Sequence, residues 1–472
     1  MQIDQPGPQR DTMENIASKA AARRRAAFGA SVGTLIEYYD YYLYGLAAAT
    51  VFPKIFFPND SATVAQLSSF ASFAIGFLLR PIGGVVFGHI GDRAGRKAAL
   101  MITVIGMGLA TTAIGLIPSA ARLGLMAPIL LIICRSFQGL FVGGEMGGAA
   151  TLIVEHARPG QRGFYGSLLI IGAGIANVLS AGLMAVLARS EEWFIAWGWR
   201  LPFLFSIVLV VIATIMRSRL EESEEFQKLV RERDQVPKKR KSPLLEALRR
   251  PKNVILGILM GLVQSIAGYV ILTFGLSLVV KEGVSTQVGF VGTFIVGILQ
   301  IFMAPAWGAL SDRVGRRNLY IAASVFLAVV VYPVFLLYQT KEPVLIWLGM
   351  VIGFVIPGVA MQATFQTMLT EMFDVEARTT GVGLGYQLSN TFGGGFAPMI
   401  CVALVAAAGG AVWPVAIYVA VVALASILAT VFASLRPDVA APDRRLRGAV
   451  QTADLAPGRD DDHRSRRAQR SQ

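Results

Sequence analysis

Charged side chains are scarce in this chain, which excludes an ordinary soluble protein. Only 15% of its 472 residues are charged and 54% are hydrophobic, whereas soluble proteins average about 25% charged residues. The apolar residues fall in runs of roughly 20, the length that crosses the hydrocarbon core of a bilayer as a helix. The composition therefore predicts a helical membrane protein with many spans, whose first partner is the lipid bilayer.

Cysteine and histidine are also rare, and this argues against metal-dependent or nucleophilic chemistry. The two cysteines, Cys134 and Cys401, lie inside apolar runs in different halves of the chain, as expected for small buried apolar side chains. His89, His156 and His463 lie at or beyond the edges of such runs. Because neither a metal-ligand spacing nor a nucleophile with a base stands out, we predict no metal, no cofactor and no enzymatic activity.

The first 25 residues are polar and rich in arginine, without the apolar core of a cleavable signal peptide, so we expect none. The formal charge of +13 could suggest nucleic-acid binding, but the positions of the 43 Lys and Arg residues argue otherwise. Most lie in segments on one side of the predicted spans. Those on the other side are Lys54, Arg122, Arg189, Arg200, Lys281 and Lys341. The positive-inside rule then places both termini in the cytoplasm, and we expect no nucleic-acid partner.

The apolar runs predict twelve transmembrane helices in two domains of six, an all-α integral membrane fold. A cytoplasmic arm (1–25) precedes the N-terminal domain (26–219), and a charged linker (220–252) precedes the C-terminal domain (253–434) and a disordered tail (435–472). We expect Trp193, Trp197 and Trp199 at the outer membrane interface, where helix 6 begins. The predicted helices are 26–52, 63–90, 97–117, 126–153, 162–187, 199–219, 253–280, 286–310, 317–338, 343–370, 377–407 and 411–434.

A ten-residue pattern occurs twice, as GHIGDRAGRK at 88–97 and as GALSDRVGRR at 308–317. The two copies occupy equivalent loops, between helices 2 and 3 and between helices 8 and 9. A single copy could be only a charged turn, but the repetition indicates a duplicated membrane protein with a functional loop. The family resemblance given below implies a gating role for this motif, whose residues are Gly88, Asp92, Arg93, Gly95, Arg96, Lys97, Asp312, Arg313, Gly315 and Arg316.

Helix 1 carries two acids, Glu37 and Asp40, three residues apart and hence on one helical face near mid-membrane. A carboxylate at that depth is costly unless it is paired, hydrated or protonated, which favours a role in proton coupling. A static salt bridge to a basic residue of helix 2 or 4 is the alternative. Glu145, on helix 4, is the third acid that we assign to proton coupling.

Arginines within helices 2 and 4 are the predicted contacts for an anionic substrate. Arg135 can hold a carboxylate bidentately, assisted by Gln138; alternatively, it neutralises Asp40 or Glu37. Arg80, followed by a helix-loosening Pro81, would join Glu145 in a charge network that reports occupancy to the 88–97 loop. The C-terminal half should supply neutral contacts, chiefly Tyr386, Gln387 and Asn390 of helix 11.

The paired D-R-x-G-R loops resemble the signature of the major facilitator superfamily of transporters. The runs EYYDYYLYG, LRPIGG, RSFQGLFVGGE and GWRLPFLFS are similar to its metabolite:proton symporter branch, and GVGLGYQ followed by GGGFAP is most similar to the shikimate-type members. Two features depart from the branch. The helix 1 acids are Glu and Asp where some relatives have two Asp, and the C-terminal coiled coil of many proline/betaine carriers is absent.

The resemblance implies alternating access by rocking of the two six-helix domains, with the substrate between them and Asp92 in a cytoplasmic charge cluster that latches the outward-open state. It implies a bacterial inner-membrane symporter, working as a monomer, that imports a small organic acid with protons and is driven by the proton gradient. A proton-coupled exporter, a proline/betaine-type osmolyte symporter and a non-transporting nutrient sensor are the alternatives.

Overall fold

The computed structural model describes residues 35–94, 96–143, 160–218, 251–373 and 378–434. Within them ten helices are long and apolar enough to cross a membrane, and a bent pair of helices makes an eleventh candidate. The first predicted segment is described only from residue 35, and it is helical over 35–50. The total of twelve, the cytoplasmic placement of the termini and the domain boundaries therefore stay predictions. The arm, the linker and the tail lie outside the described residues.

We number the helices in the order of the chain. Helix α1 covers residues 35–50. The others are α2 (Ala62–Ile90), α3 (Ala98–Leu116), α4 (Met126–Gly143), α5 (Arg162–Leu187), α6 (Arg200–Met216), α7 (Pro251–Lys281), α8 (Thr286–Val314), α9 (Arg316–Gln339), α10 (Pro343–Glu371), α11 (Thr380–Ala407) and α12 (Trp413–Phe432). The order agrees with the predicted pattern to within a few residues where both ends are described.

Helix α6 begins directly after a sharp bend in the chain. Glu191–Gly198 precedes it at an angle of 51°. Trp193 and Trp197 are half exposed, as expected for an interface, but Trp199 is fully buried. The ring of Trp199 packs edge-on against Phe52 within the protein, and its place at the outer interface stays a prediction.

Several helices are interrupted where they surround the centre of the bundle. Helix α2 breaks at Leu79, two residues before Pro81, as the sequence predicted. Helices α7, α10 and α11 each contain a π-helical stretch, at Tyr269–Phe274, Val351–Val355 and Asn390–Gly395. Such irregular turns in long helices are frequent at functional sites.

Two large apolar cores stabilise the bundle, one built mostly from residues before 210 and one mostly from residues after 250. Large apolar side chains also face outward, as expected where lipid replaces water; examples are Val85, Leu116, Phe302, Val329 and Val421. Helices α5 and α8, one from each half, touch along their length. Gly163 lies against Gly308 near one end, and Gln287 of α8 donates to the Ala185 carbonyl near the other.

Candidate functional site

A hydrogen-bonded path joins a buried arginine of α4 to a buried acid of α1. Arg135 Nη1 donates to Gln138 Oε1 at 2.5 Å, and Gln138 Nε2 donates to Thr111 Oγ1 at 2.7 Å. Thr111 Oγ1 in turn donates to Asp40 Oδ2 at 2.8 Å. Asp40 is only 2% exposed and Arg135 only 1%. The structure therefore brings together three of the predicted residues, with Thr111 of α3 as the link.

Asp40 and Arg135 do not form a direct ion pair in the described part of the chain, since no nitrogen of Arg135 lies within 4.0 Å of the Asp40 carboxylate. Asp40 and Arg135 are connected through two neutral side chains, and the predicted neutralisation of Asp40 or Glu37 by Arg135 stays a prediction. A bond through Gln138 leaves part of the guanidinium available. Arg135 Nε and Nη2 are buried and have no hydrogen-bond partner among the described residues.

Aromatic rings cover both predicted arginines. The Arg80 guanidinium carbon lies 3.7 Å from the ring centre of Phe77 and 4.0 Å from that of Tyr41. The Arg135 guanidinium carbon lies 4.1 Å from the ring centre of Tyr44. The negative face of an aromatic ring attracts a cation, and the attraction strengthens where water is excluded. Arg80 Nε and Nη1, like the two Arg135 nitrogens, find no hydrogen-bond partner among the described residues.

Glycines explain how two arginines can be buried between α2 and α4. A methyl group on Gly139 would lie 2.0 Å from the Gly76 carbonyl oxygen, and one on Gly143 would lie 2.0 Å from the Arg80 carbonyl oxygen. A methyl group on Gly76 would lie 2.4 Å from Arg135 Nε. The two backbones are therefore in direct contact, as small residues permit between membrane helices.

Glu37 and Asp40 make different contacts although both belong to α1. The Tyr41 hydroxyl donates to Glu37 Oε1 at 2.6 Å, one turn along the same helix. The neighbouring Tyr38 hydroxyl lies 2.8 Å from the Tyr386 hydroxyl of α11. This contact joins the two halves of the chain beside Glu37. The third acid assigned to proton coupling, Glu145, lies outside the described residues.

A cavity lies between the two halves, and every residue that lines it is uncharged. It is lined by Tyr38, Tyr42, Gln264, Ser265, Gly268, Tyr269, Leu272, Thr273, Gln362 and Asn390. Of the predicted α11 contacts, Asn390 lines this cavity and Tyr386 bonds to one of its tyrosines. Gln387, three residues before Asn390, is buried, and its amide oxygen has no hydrogen-bond partner among the described residues. The π-helical turns of α7 and α11 supply Tyr269, Leu272, Thr273 and Asn390.

Three aromatic rings connect the cavity to the arginines. Tyr269 lines the cavity, and its ring packs edge-on against Phe73 and Phe77 at centroid distances of 5.4 and 5.7 Å. Phe77 in turn lies over Arg80. In this conformation the arginines are therefore covered by rings on the cavity side. The sequence did not single out Phe73, Phe77 or Thr111, since phenylalanines and a lone threonine are ordinary in an apolar run.

The second gating loop ties the two halves together at one end of the bundle. Asp312 of α8 accepts from the Gly163 and Phe164 amides of α5 at 2.9 and 3.0 Å. A carboxylate at a helix N-terminus satisfies free N–H groups and complements the helix dipole. Arg316 donates to Asp312 at 2.9 Å and also pairs with Glu371.

The structure describes fewer contacts for the other residues of the gating motif. Arg313 is exposed, and Gly315 has a φ of 90°, which suits the turn between α8 and α9. Gly88 has open space around its Cα. In the first copy, Gly95 and the side chains of Asp92, Arg93, Arg96 and Lys97 lie outside what the structure describes, so their predicted roles are untested.

The fold and this central site between two helical halves are those of a secondary transporter. A family model described as Major Facilitator Superfamily matches residues 30–398 and, in a second match, 283–460. The chain belongs to this superfamily. It is a multi-pass membrane transporter and not an enzyme.

Similarity to individual proteins is consistent with that assignment. The chain is 40% identical over 402 residues to the shikimate transporter of Escherichia coli K12, covering 84% of this chain and 91% of that one. It is 33% identical over 437 residues to the citrate-proton symporter of Klebsiella pneumoniae, covering 90% and 95%. Among solved structures, a D-xylose-proton symporter aligns with a TM-score of 0.65 at 19% identity, covering 88% of this chain and 98% of that one. The last similarity concerns the fold alone.

Proposed function

We propose that this protein is a proton-coupled symporter of the bacterial inner membrane that imports a small organic acid by alternating access. In this proposal Asp40 and Glu37 exchange the proton, and Arg135 binds the substrate carboxylate. The observation that carries it is the path from Arg135 through Gln138 and Thr111 to Asp40. Because the path is buried, a charge that binds at Arg135 changes the electrostatic energy of a proton on Asp40, and the reverse also holds.

The unpartnered nitrogens of Arg135 support the carboxylate assignment. A buried N–H group without a partner costs free energy, and a carboxylate offers two oxygens to the planar guanidinium. Arg135 Nε and Nη2 are the buried unpartnered pair. The aromatic cover of Tyr44, Phe73 and Phe77 separates them from the cavity, so the carboxylate would reach Arg135 when α1, α2 and α7 move apart.

The same path offers a physical basis for coupling. Gln138 bonds Arg135 through its oxygen and Thr111 through its nitrogen. A substrate carboxylate on Arg135 Nε and Nη2 would neutralise the guanidinium and so weaken the bond from Nη1 to Gln138, which would change the hydrogen bonding of Thr111 and Asp40. Any effect of substrate on protonation of Asp40 must be matched by an equal effect of protonation on substrate affinity.

The contacts between the two halves are the ones that we expect to break and re-form during transport. Asp312 accepts a hydrogen bond from the N-terminus of α5, and the Tyr38 and Tyr386 hydroxyls are hydrogen-bonded to each other. Breaking either contact would let the halves rock around the central site, as in other transporters built from repeated domains. Shikimate and citrate are the first substrates to test, because the names of two relatives mention them.

The test is uptake into proteoliposomes under an imposed gradient of about two pH units, with shikimate, citrate, proline and betaine as separate substrates. We expect gradient-driven accumulation of at least one acid. Arg135→Lys should raise its KM about tenfold or more, because lysine keeps the charge but loses bidentate contact, and a hydrogen bond to a charged group is worth about 1.5–3 kcal/mol. The control is Arg122→Gln, at an exposed arginine, which should transport normally.

Each rival has a distinct outcome. Loss of substrate from preloaded vesicles under an inward proton gradient, without uptake, would indicate an exporter. Accumulation of proline or betaine but of neither shikimate nor citrate would indicate an osmolyte symporter. Binding without flux would indicate a sensor. An unchanged KM in Arg135→Lys would remove Arg135 from the carboxylate site.

A further inference from the structure

Asn177 of α5 is a fully buried amide that the path described above does not include. Its exposed fraction is 0%, and neither its side-chain oxygen nor its side-chain nitrogen has a hydrogen-bond partner among the described residues. Leaving an amide unsatisfied away from water costs about 1–3 kcal/mol by mutational data. An asparagine with both polar atoms unsatisfied is costly to keep unless it binds something.

Gln300 of α8 also has an unpartnered polar atom, and it lies close to the central cavity. It is also 0% exposed; its nitrogen donates to Gln362 Oε1 at 3.1 Å, and its own oxygen has no partner within the described ranges. Gln362 lines the cavity. Gln300 is therefore one side chain removed from the cavity.

The two amides lie on the facing surfaces of α5 and α8. A methyl group on Gly297 would lie 3.2 Å from the Asn177 Cβ, which places Asn177 directly across the helix contact. Gln300 follows Gly297 by three residues, about one helical turn, and so shares its face. Since α5 and α8 belong to different halves, a group bound by both amides would bridge the halves.

We propose that Asn177 and Gln300 form a second polar subsite that binds a hydroxyl group of the transported substrate. A hydroxyl both donates and accepts, so it can accept from the Asn177 amide nitrogen and donate to the Gln300 oxygen at once. A carboxylate suits the pair less well, because it cannot donate and would face the Gln300 oxygen. The inference rests on the proposed function: Arg135 holds the carboxylate, and this subsite selects acids that also carry a hydroxyl.

The test uses pairs of acids that differ only in hydroxyl groups. One pair is shikimate and cyclohex-1-ene-1-carboxylate, and the other is citrate and propane-1,2,3-tricarboxylate. Proton-driven uptake of each compound is measured in proteoliposomes as kcat/KM. We expect the wild-type protein to prefer the hydroxylated member of at least one pair about tenfold or more, because an unmatched buried polar group penalises the analogue.

The variants Asn177→Leu and Gln300→Leu keep the approximate side-chain size and remove the polar atoms. We expect each to lower uptake of the hydroxylated acid about tenfold while leaving its analogue within about threefold, so that the preference disappears. The control is Gln287→Leu, at another glutamine of α8 that bonds across to α5 but lies about 20 Å from Gln300 along the helix. It should keep the wild-type preference.

The outcomes separate the two proposals. Equal wild-type uptake of both members of each pair overturns the subsite, and this result does not depend on how well any variant folds. Equal loss of both members in Asn177→Leu and Gln300→Leu also overturns it, since the amides then serve structure alone. If the wild-type protein accumulates none of the four acids, the proposed symport of these acids fails, and the hydroxyl subsite falls with it.

Discussion

Replacing Gly139 with alanine is expected to push α2 away from α4 and to damage the arginine site. The added methyl group would lie 2.0 Å from the Gly76 carbonyl oxygen, whereas ordinary contact begins at 3.4 Å, so the helices must separate by up to about 1.4 Å. The obstacle is backbone, which cannot rotate away as a side chain can. Gln138, adjacent in sequence, and Arg135, which lies against Gly76, would move with the helices.

Two opposing effects set the size of the loss. Overpacking of this kind costs about 1–3 kcal/mol, and the better helix propensity of alanine returns up to about 1 kcal/mol. We expect a net loss near 1–2 kcal/mol and a fall of a few degrees in the apparent Tm. Uptake of the organic acid should fall further than stability suggests, because a displacement of about 1 Å at a positioning residue can cost about 100-fold in rate.

The assay is thermal unfolding of purified protein in detergent, followed by tryptophan fluorescence, with uptake measured in parallel. The matched control is Gly88→Ala, since Gly88 also lies on α2 but has no atom within 4 Å of an added methyl group. The apparent Tm of this control should stay constant or rise slightly. A Gly139→Ala protein with wild-type Tm and wild-type uptake would refute the direct backbone contact between α2 and α4.

Three further predictions concern coupling and the contacts between the halves. Asp40→Asn keeps an oxygen that can accept from Thr111, but it cannot exchange a proton. At a gradient of two pH units, each coupled proton can drive at most about 100-fold accumulation of substrate in vesicles. In the variant we expect the accumulation ratio to fall to about one, while exchange of substrate across the membrane is retained. Asp312→Ala removes two bonds to the start of α5 and should favour opening about tenfold or more, measured as spin-label distances between the ends of α5 and α8. Tyr38→Phe and Tyr386→Phe should show a coupling of about 0.5–1.5 kcal/mol in a double-mutant cycle of thermal stability.

Each of these has a clear contrary result. Full accumulation by Asp40→Asn would assign the coupled proton to another group. Unchanged distances in Asp312→Ala would show that the α5 contact does not govern opening. Strictly additive effects of the two tyrosine variants would show that their hydroxyl contact contributes nothing to the closed arrangement.

Much of the architecture could be predicted from patterns along the chain. Runs of about 20 apolar residues define membrane helices because backbone groups must be satisfied within each helix in lipid. The repeated GALSDRVGRR loop indicated a functional loop, and its Asp312 bonds to α5; the gating role stays a prediction. The choice of Asp40, Arg135 and Gln138 followed from the rarity of such side chains at membrane depth.

The partners of these residues could not be predicted in the same way. Thr111, Phe77, Asn177 and Gln300 are polar or aromatic residues of kinds that most membrane helices contain, and nothing in their spacing marks them. Residue type suggested that Trp193, Trp197 and Trp199 are alike, whereas only Trp199 is fully buried among other side chains. Residue type along one helix says little about which neighbouring helix a side chain will meet.

The sequence by itself determined the class of this protein, a duplicated helical membrane transporter with acids in α1 and arginines in α2 and α4, because hydrophobic length, charge asymmetry and repeated loops are properties of the chain. Only the tertiary structure decided that Arg135 reaches Asp40 through Gln138 and Thr111, and that Asn177 lies against Gly297 of α8. The physical reason is that these contacts depend on the rotation and separation of the helices. Glycines such as Gly76 and Gly139 set the α2–α4 separation by where backbone meets backbone.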